Sequence, residues 1–201
     1  MAIITEIKQL TSSKYVNLFN VKGHNSKGHE SNYFVASRAK SVDELKITTK
    51  KDTPDGVSIY ALCGEKHDKV VLVRQYRYAI DDYIYELPAG LVEPGENFHE
   101  AAIREMHEET GLVFTPIEAG NAYEAPRYTT IGMTDEAVAA VYGYASGDIS
   151  DKFMEASEEI EVVIADRDEV RRILDKERVA LLTAYQLMHF IADKEPFGFL
   201  K

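Results

Sequence analysis

The stretch Gly90–Leu112, GLVEPGENFHEAAIREMHEETGL, decides the reading of this chain. Glycines and Pro94 make its entry a tight turn, and Asn97 stands where a helix N-cap belongs. Glu100 sits three residues on, as a capping box requires, and Gly111 is placed for a left-handed C-terminal cap. The spacing predicts a loop, a helix of about three and a half turns, and a second loop. Along that helix Glu105, Glu108 and Glu109 fall at i, i+3 and i+4, so three carboxylates share a face beside the apolar Ala102, Ile103 and Met106. Adjacent like charges destabilise a bare helix, and a divalent cation offsets them. All-oxygen ligands suit Mg²⁺ or Mn²⁺ rather than zinc. The competing reading is an acidic, solvated helix face.

Outward from this segment, strands are expected at Ile3–Leu10, Tyr15–Val21, Tyr33–Ser37, Val57–Cys63, Lys69–Arg77, Tyr83–Leu87, Val113–Glu124, Ala137–Ala145 and Ile160–Ala165. KVVLVRQYR reads as a central strand buried on both faces. Asp166 with Glu169 forms a capping-box pattern that opens a second helix, and a third runs from about Arg178 to Asp193. Strands with three interleaved helices indicate a layered α/β arrangement. The polar stretch Lys40–Gly56 ends in Thr53-Pro-Asp-Gly56, strong turn chemistry, and divides a small N-terminal β unit, residues 1–52, from a main domain, residues 53–201. Lys50 and Lys51 there read as a solvated loop.

The chain has 201 residues, 28% charged and 45% hydrophobic, which excludes collagen, low-complexity disorder and disulfide scaffolds. A formal charge of −11 repels nucleic-acid phosphates, so an anionic substrate needs metal or local arginines. Met1–Leu10 carries Glu6 and Lys8 among its apolar residues, unlike a secretory signal. Val179–Ala192, interrupted by Thr183, Gln186 and His189, is too short to span a bilayer. The lone Cys63 reads as a small buried hydrophobe in a reducing, cytoplasmic protein. No Ser/His/Asp or Cys/His constellation competes with the glutamates, and His99 and His107 read as solvent-facing or packing residues.

Residues 90–112 fill the pattern G-x5-E-x7-R-E-U-x-E-E-x-G-U, where U is aliphatic, at Gly90, Glu96, Arg104, Glu105, Met106, Glu108, Glu109, Gly111 and Leu112. This segment resembles the Nudix box. The resemblance implies a Nudix α/β/α sandwich with a mixed β-sheet, plus a small N-terminal antiparallel β unit, and a hydrolase that cleaves a nucleoside diphosphate linked to another moiety with Mg²⁺, for which Mn²⁺ can substitute. It implies that Glu105 and Glu109 bind metal, that Glu108 assists, and that Arg104 orients the glutamates.

Arg74-Gln-Tyr-Arg77 and Glu86-Leu-Pro-Ala89-Gly90 further resemble the approach to the box in ADP-ribose pyrophosphatases and related nucleoside-diphosphate-sugar hydrolases. That likeness implies the Ala89 carbonyl as a metal ligand, with Arg77 and Glu86 lining the substrate site and Arg74 near it. A surface role for Arg74 and an ion pair between Arg77 and Glu86 are the structural alternatives. It implies a catalytic loop at about residues 146–157 whose acid is Glu155, Glu158 or Glu159. It also implies a homodimer in which the N-terminal unit, with Arg38, closes the partner's site. Ile131 stands where these hydrolases carry proline, which leaves GDP-mannose or a nucleoside triphosphate as alternatives to ADP-ribose; separately, because Nudix domains also serve as ligand sensors, a non-catalytic nucleotide-sensing module is the alternative from another class.

Overall fold

The computed structural model describes residues 1–154, 156 and 159–200. The chain divides into two compact units, residues 1–55 with 126–138, and residues 56–125 with 139–201. In the first, β1 (Ile3–Gln9), β2 (Asn17–His24) and β3 (Glu30–Ser37) form an antiparallel sheet in that order. The β2–β3 turn is set by Asn25, whose side-chain oxygen accepts from the amides of Lys27, at 2.9 Å, and His29, at 3.1 Å. The lysine-bearing stretch read as a loop contains one helical turn, α1 (Lys46–Thr49), closed by Lys50 in the left-handed region. Lys46 is ion-paired with Asp55, so this lysine is not simply solvated.

The second unit opens with β4 (Gly56–Cys63), β5 (Lys69–Arg77), β6 (Asp82–Glu86) and β7 (Ala89–Leu91), then α2 (Phe98–Thr110), β8 (Val113–Pro116) and the single turn α3 (Asn121–Glu124). The short β9 (Arg127–Tyr128) belongs to the first unit, where it pairs with Ala137 and Val138 at the start of β10 (Ala137–Ser146). β11 (Ile160–Ala165), α4 (Arg167–Lys176) and α5 (Leu181–Ala192) complete the chain. The sheet order is β11-β5-β4-β10-β8, with β6 on β5 and β7 on β4.

Alternation along β4 explains the layering. Val57, Ile59, Ala61 and Cys63 pack with Ala101, Ala102 and Met106 of α2, whereas Tyr60 and Leu62 pack with Val170 and Ile173 of α4 and Leu187 and Phe190 of α5. A strand covered on both faces reads as a continuous apolar run. In β5 Val70, Val71, Leu72 and Val73 are all at most 1% exposed, as expected for a central strand. The second unit is therefore an α/β/α sandwich. Cys63 is buried, and burial pushes its thiol pKa up, as for a packing residue.

Two expectations are corrected. The strand read over Val113–Glu124 stops at Pro116; the Ile117 amide still donates to the Tyr142 carbonyl at 2.8 Å, and Gly120 at φ +80 then turns the chain out of extension into α3. Asp166 caps α4 as expected, accepting from the Asp168 and Glu169 amides, but the Glu169 carboxylate turns to Arg172 at 2.8 Å. No helix among the described residues is long and apolar enough to cross a membrane.

Candidate active site

The site is built where β7 runs into α2. The capping box is complete: the Asn97 side chain accepts from the His99 and Glu100 amides, both at 3.0 Å, and Glu100 returns to the Asn97 amide at 3.1 Å. At the other end Gly111, with φ +76, closes the helix. Both signals are local, so helix and sequence reading coincide.

Arg104 is the hub of the carboxylates. Its Nε and one terminal nitrogen donate to the two oxygens of Glu96 at 3.0 and 2.9 Å; the other terminal nitrogen donates to Glu105 at 2.9 Å and Glu108 at 2.8 Å. A fifth bond, at 2.9 Å, reaches the Leu91 carbonyl. All the guanidinium's donor directions are engaged, a planar fork that lysine does not reproduce. Hydrogen bonding to Arg104 holds the Glu96 carboxyl below its ordinary range, and chiefly Glu96 raises the Arg104 pKa.

The other two box glutamates close on the backbone of β7. Glu109 is 3% exposed and accepts from the Ala89 amide at 3.1 Å. For Glu109 this goes against the competing reading of a solvated helix face: the helix turns this residue into the junction with the strand. A Cβ on Gly90 would stand 1.8 Å from the Glu105 carboxyl carbon, so Glu105 lies directly over that glycine. Glu105 and Glu109 thus meet the same Ala89–Gly90 step. A cleft of about 380 Å³ opens here, lined by Ala89, Gly90, Arg104, Glu105 and Glu108 among others. Among the described residues no three His, Cys, Asp or Glu side chains already form a metal cage. The donor set is nevertheless all oxygen and outnumbers its single guanidinium, which fits a hard divalent cation held largely through water and phosphate.

The β5–β6 hairpin gathers a second group. Arg77 Nε donates to Glu86 at 2.7 Å, so the structure contains the ion pair that was the structural alternative. Arg74 lies over the Tyr83 ring, 4.1 Å from its centroid, and 3.4 Å from Glu161. The Tyr83 hydroxyl donates to Glu159. Only Leu87 and Pro88 separate Glu86 from Ala89, so the backbones of these two residues are at most about 11 Å apart. Arg38 is in the first unit, paired with Glu136 at 2.9 Å. Ile131, 63% exposed, lines a mainly apolar cavity of about 550 Å³ in that unit with Tyr33, Leu45 and Tyr128. Glu155 and Glu158 lie outside the described residues.

Sequence reasoning missed Glu124. It is 5% exposed, accepts from His99 Nε2 at 2.8 Å and from the Ala119 amide at 3.3 Å, and fastens the α3 turn to the first turn of α2. Pro116 and Gly120 were the available signals.

A family model described as NUDIX domain matches residues 52–185. The chain belongs to the Nudix family. Among its curated relatives, an ADP-sugar pyrophosphatase of Mus musculus is 38% identical over 77 residues, 37% of this chain and 35% of that protein. An ADP-ribose pyrophosphatase of Bacillus subtilis is 35% identical over 85 residues, 42% of this chain and 43% of that protein. The chain therefore matches less than half the length of these two relatives. A solved structure described as an ADP compounds hydrolase superposes with a TM-score of 0.65, covering 93% of this chain and 90% of that one at 16% identity, which establishes the Nudix fold.

Proposed function

We propose that this Nudix protein hydrolyses the diphosphate bond of ADP-ribose or a similar nucleoside diphosphate sugar, giving a nucleoside monophosphate and a sugar phosphate. The observation that carries the reading is the convergence of Glu105 and Glu109 on the Ala89–Gly90 step, with Arg104 holding Glu96, Glu105 and Glu108 around it. The names of the mouse and Bacillus relatives support the substrate class.

In this reading Glu105, Glu109 and the Ala89 carbonyl hold Mg²⁺, and Glu108 assists. When bound, the cation neutralises diphosphate charge and acidifies a water for attack on phosphorus. The chain's own part is positioning. Arg104 fixes the carboxylates before substrate arrives, so little reorganisation is left for the transition state. Arg77, Glu86 and Arg74 bind the nucleotide sugar, with the Arg77–Glu86 pair presenting a guanidinium edge to phosphate. Glu155, Glu158 or Glu159 supplies the acid of the loop after β10. The N-terminal unit forms a homodimer interface and brings Arg38 to the partner's substrate; exposed Ile3, Leu18 and Phe34, which the strand register places on one face of the sheet, give it an apolar surface to bury. The buried, lone Cys63 accords with a reducing cytoplasm.

The test is product release from ADP-ribose, GDP-mannose and a nucleoside triphosphate, with Mg²⁺ and with EDTA, read by chromatography. AMP from ADP-ribose only with Mg²⁺ is the expected result. Cleavage of another substrate alone reassigns the distal pocket, where Ile131 replaces the expected proline. Tight binding without turnover makes the protein a sensor.

A further inference from the structure

The chain leaving β10 folds back onto the C-terminal end of the box helix. The Ser150 amide donates to the Thr110 carbonyl at 3.0 Å, satisfying one of the carbonyls that a helix end leaves without an intrahelical partner. Ser150 also packs against Gly111: a Cβ there would meet the Ser150 amide nitrogen at 2.6 Å and its Cβ at 2.7 Å. Phe153 then lays its ring on His107, with centroids 4.2 Å apart and planes tilted by 36°. His107, Thr110 and Gly111 are i, i+3 and i+4, one face of the last turn. That face borders the carboxylates, because Gly111 is the i+3 neighbour of Glu108. Further along, Glu159 is tied to the β5–β6 hairpin, its carbonyl accepting from the Tyr76 amide at 3.2 Å. Ser150 and Phe153 are therefore fastened to the box helix, and Glu159 to the hairpin.

We infer that His107 and Phe153 are positioning residues: their stack, with the close approach at Gly111, seats residues 147–154 on the end of the box helix that carries Glu108 and Glu109 during turnover. His107 occupies an unspecified position of the box pattern, and Phe153 lies outside it, so neither is called for by the pattern. The inference rests on the proposed hydrolase activity and adds a determinant of its kcat. A stacked aromatic pair changes a docked-to-undocked ratio by about three- to tenfold. The groups that act on phosphorus are unchanged by its loss, so the effect falls on kcat rather than on KM.

The chain has no tryptophan, so Phe153→Trp introduces a single emitter that keeps the stack. Phe153 is 51% exposed, so acrylamide quenching of the introduced indole is expected to be intermediate, and to rise by up to about twofold when His107→Ala is added. On the nucleotide-sugar substrate, His107→Ala and Phe153→Ala are expected to lower kcat about three- to tenfold with KM within twofold, and His107→Phe to restore it. A merely structural contact would lower the melting temperature without that split. Unchanged quenching on His107→Ala, or unchanged kcat in both alanine variants, overturns the inference. If the wild-type protein cleaves no substrate, the hydrolase reading fails separately, and the quenching comparison still decides whether the stack seats the segment.

Discussion

Gly90→Ala isolates the role of the approach between strand and helix. Gly90 does not have positive φ, so alanine suits the backbone and the substitution acts through its methyl group. That methyl would lie 1.8 Å from the Glu105 carboxyl carbon and 2.0 and 2.2 Å from its oxygens. Carbon atoms in contact sit about 3.5 Å apart, so the carboxyl must retreat by about 1.5 Å. The obstacle is the far end of a flexible side chain, which moves at the cost of its bond to Arg104, about 1 kcal/mol. The lower entropy of alanine in the unfolded chain offsets part of that. Stability should change by about 1 kcal/mol or less, about 4 °C in Tm at most. Turnover should fall about 100-fold, the usual consequence of a catalytic group displaced by about 1 Å. Initial rates of ADP-ribose cleavage at saturating Mg²⁺, beside a thermal melt, measure both. Rates within threefold of wild type would refute the placement of Glu105 as a working carboxylate. A fall in Tm beyond about 8 °C would show instead that the fold failed.

Other outcomes follow from the same geometry. Glu124→Ala removes the acceptor for His99 and the Ala119 amide, and the unsatisfied groups should cost about 2 kcal/mol, or about 4–8 °C in Tm, by calorimetry; a melt within 1 °C of wild type contradicts the pairing. Glu96 has its folded pKa depressed below 4.5, so its ion pair stabilises the fold above that value and is lost as pH falls through the folded pKa. Chemical denaturation of Glu96→Gln should accordingly show a shallower loss of stability on acidification than wild type, and an identical acid limb would count against the Arg104 hub.

The box helix was legible because its signals are local: Asn97 and Glu100 fold onto each other within one turn, and Gly111 ends the helix by its own φ. The core strands were legible for a related reason, since KVVLVRQYR can only be covered on both faces. What the sequence hid is contact between distant segments. Nothing in the pattern announces that Gly90 must be bare because Glu105 lies over it, or that Glu124 is buried on His99. The grouping of residues 126–138 with the N-terminal unit is likewise a long-range event: Asp55 holds the Ala137 amide at 2.8 Å, and the Ala36 amide donates to the Met133 carbonyl at 2.9 Å. The misread strand after Val113 has a local cause, Gly120 at positive φ, which turns the chain out of extension. Arg77 and Glu86 show the limit of a motif, because pairing with each other and binding a substrate use the same residues at the same spacing.

Glu109→Gln removes the charge of the buried carboxylate at the Ala89 junction and little else. Glutamine keeps an oxygen to accept from the Ala89 amide and nearly the same volume, so the buried junction is preserved while the charge is removed. At saturating Mg²⁺ the role of Glu109 as a working carboxylate requires a native melt and AMP formation from ADP-ribose reduced at least about 100-fold, the scale of losing one oriented charge-stabilising group. Near wild-type kcat in that variant would contradict it.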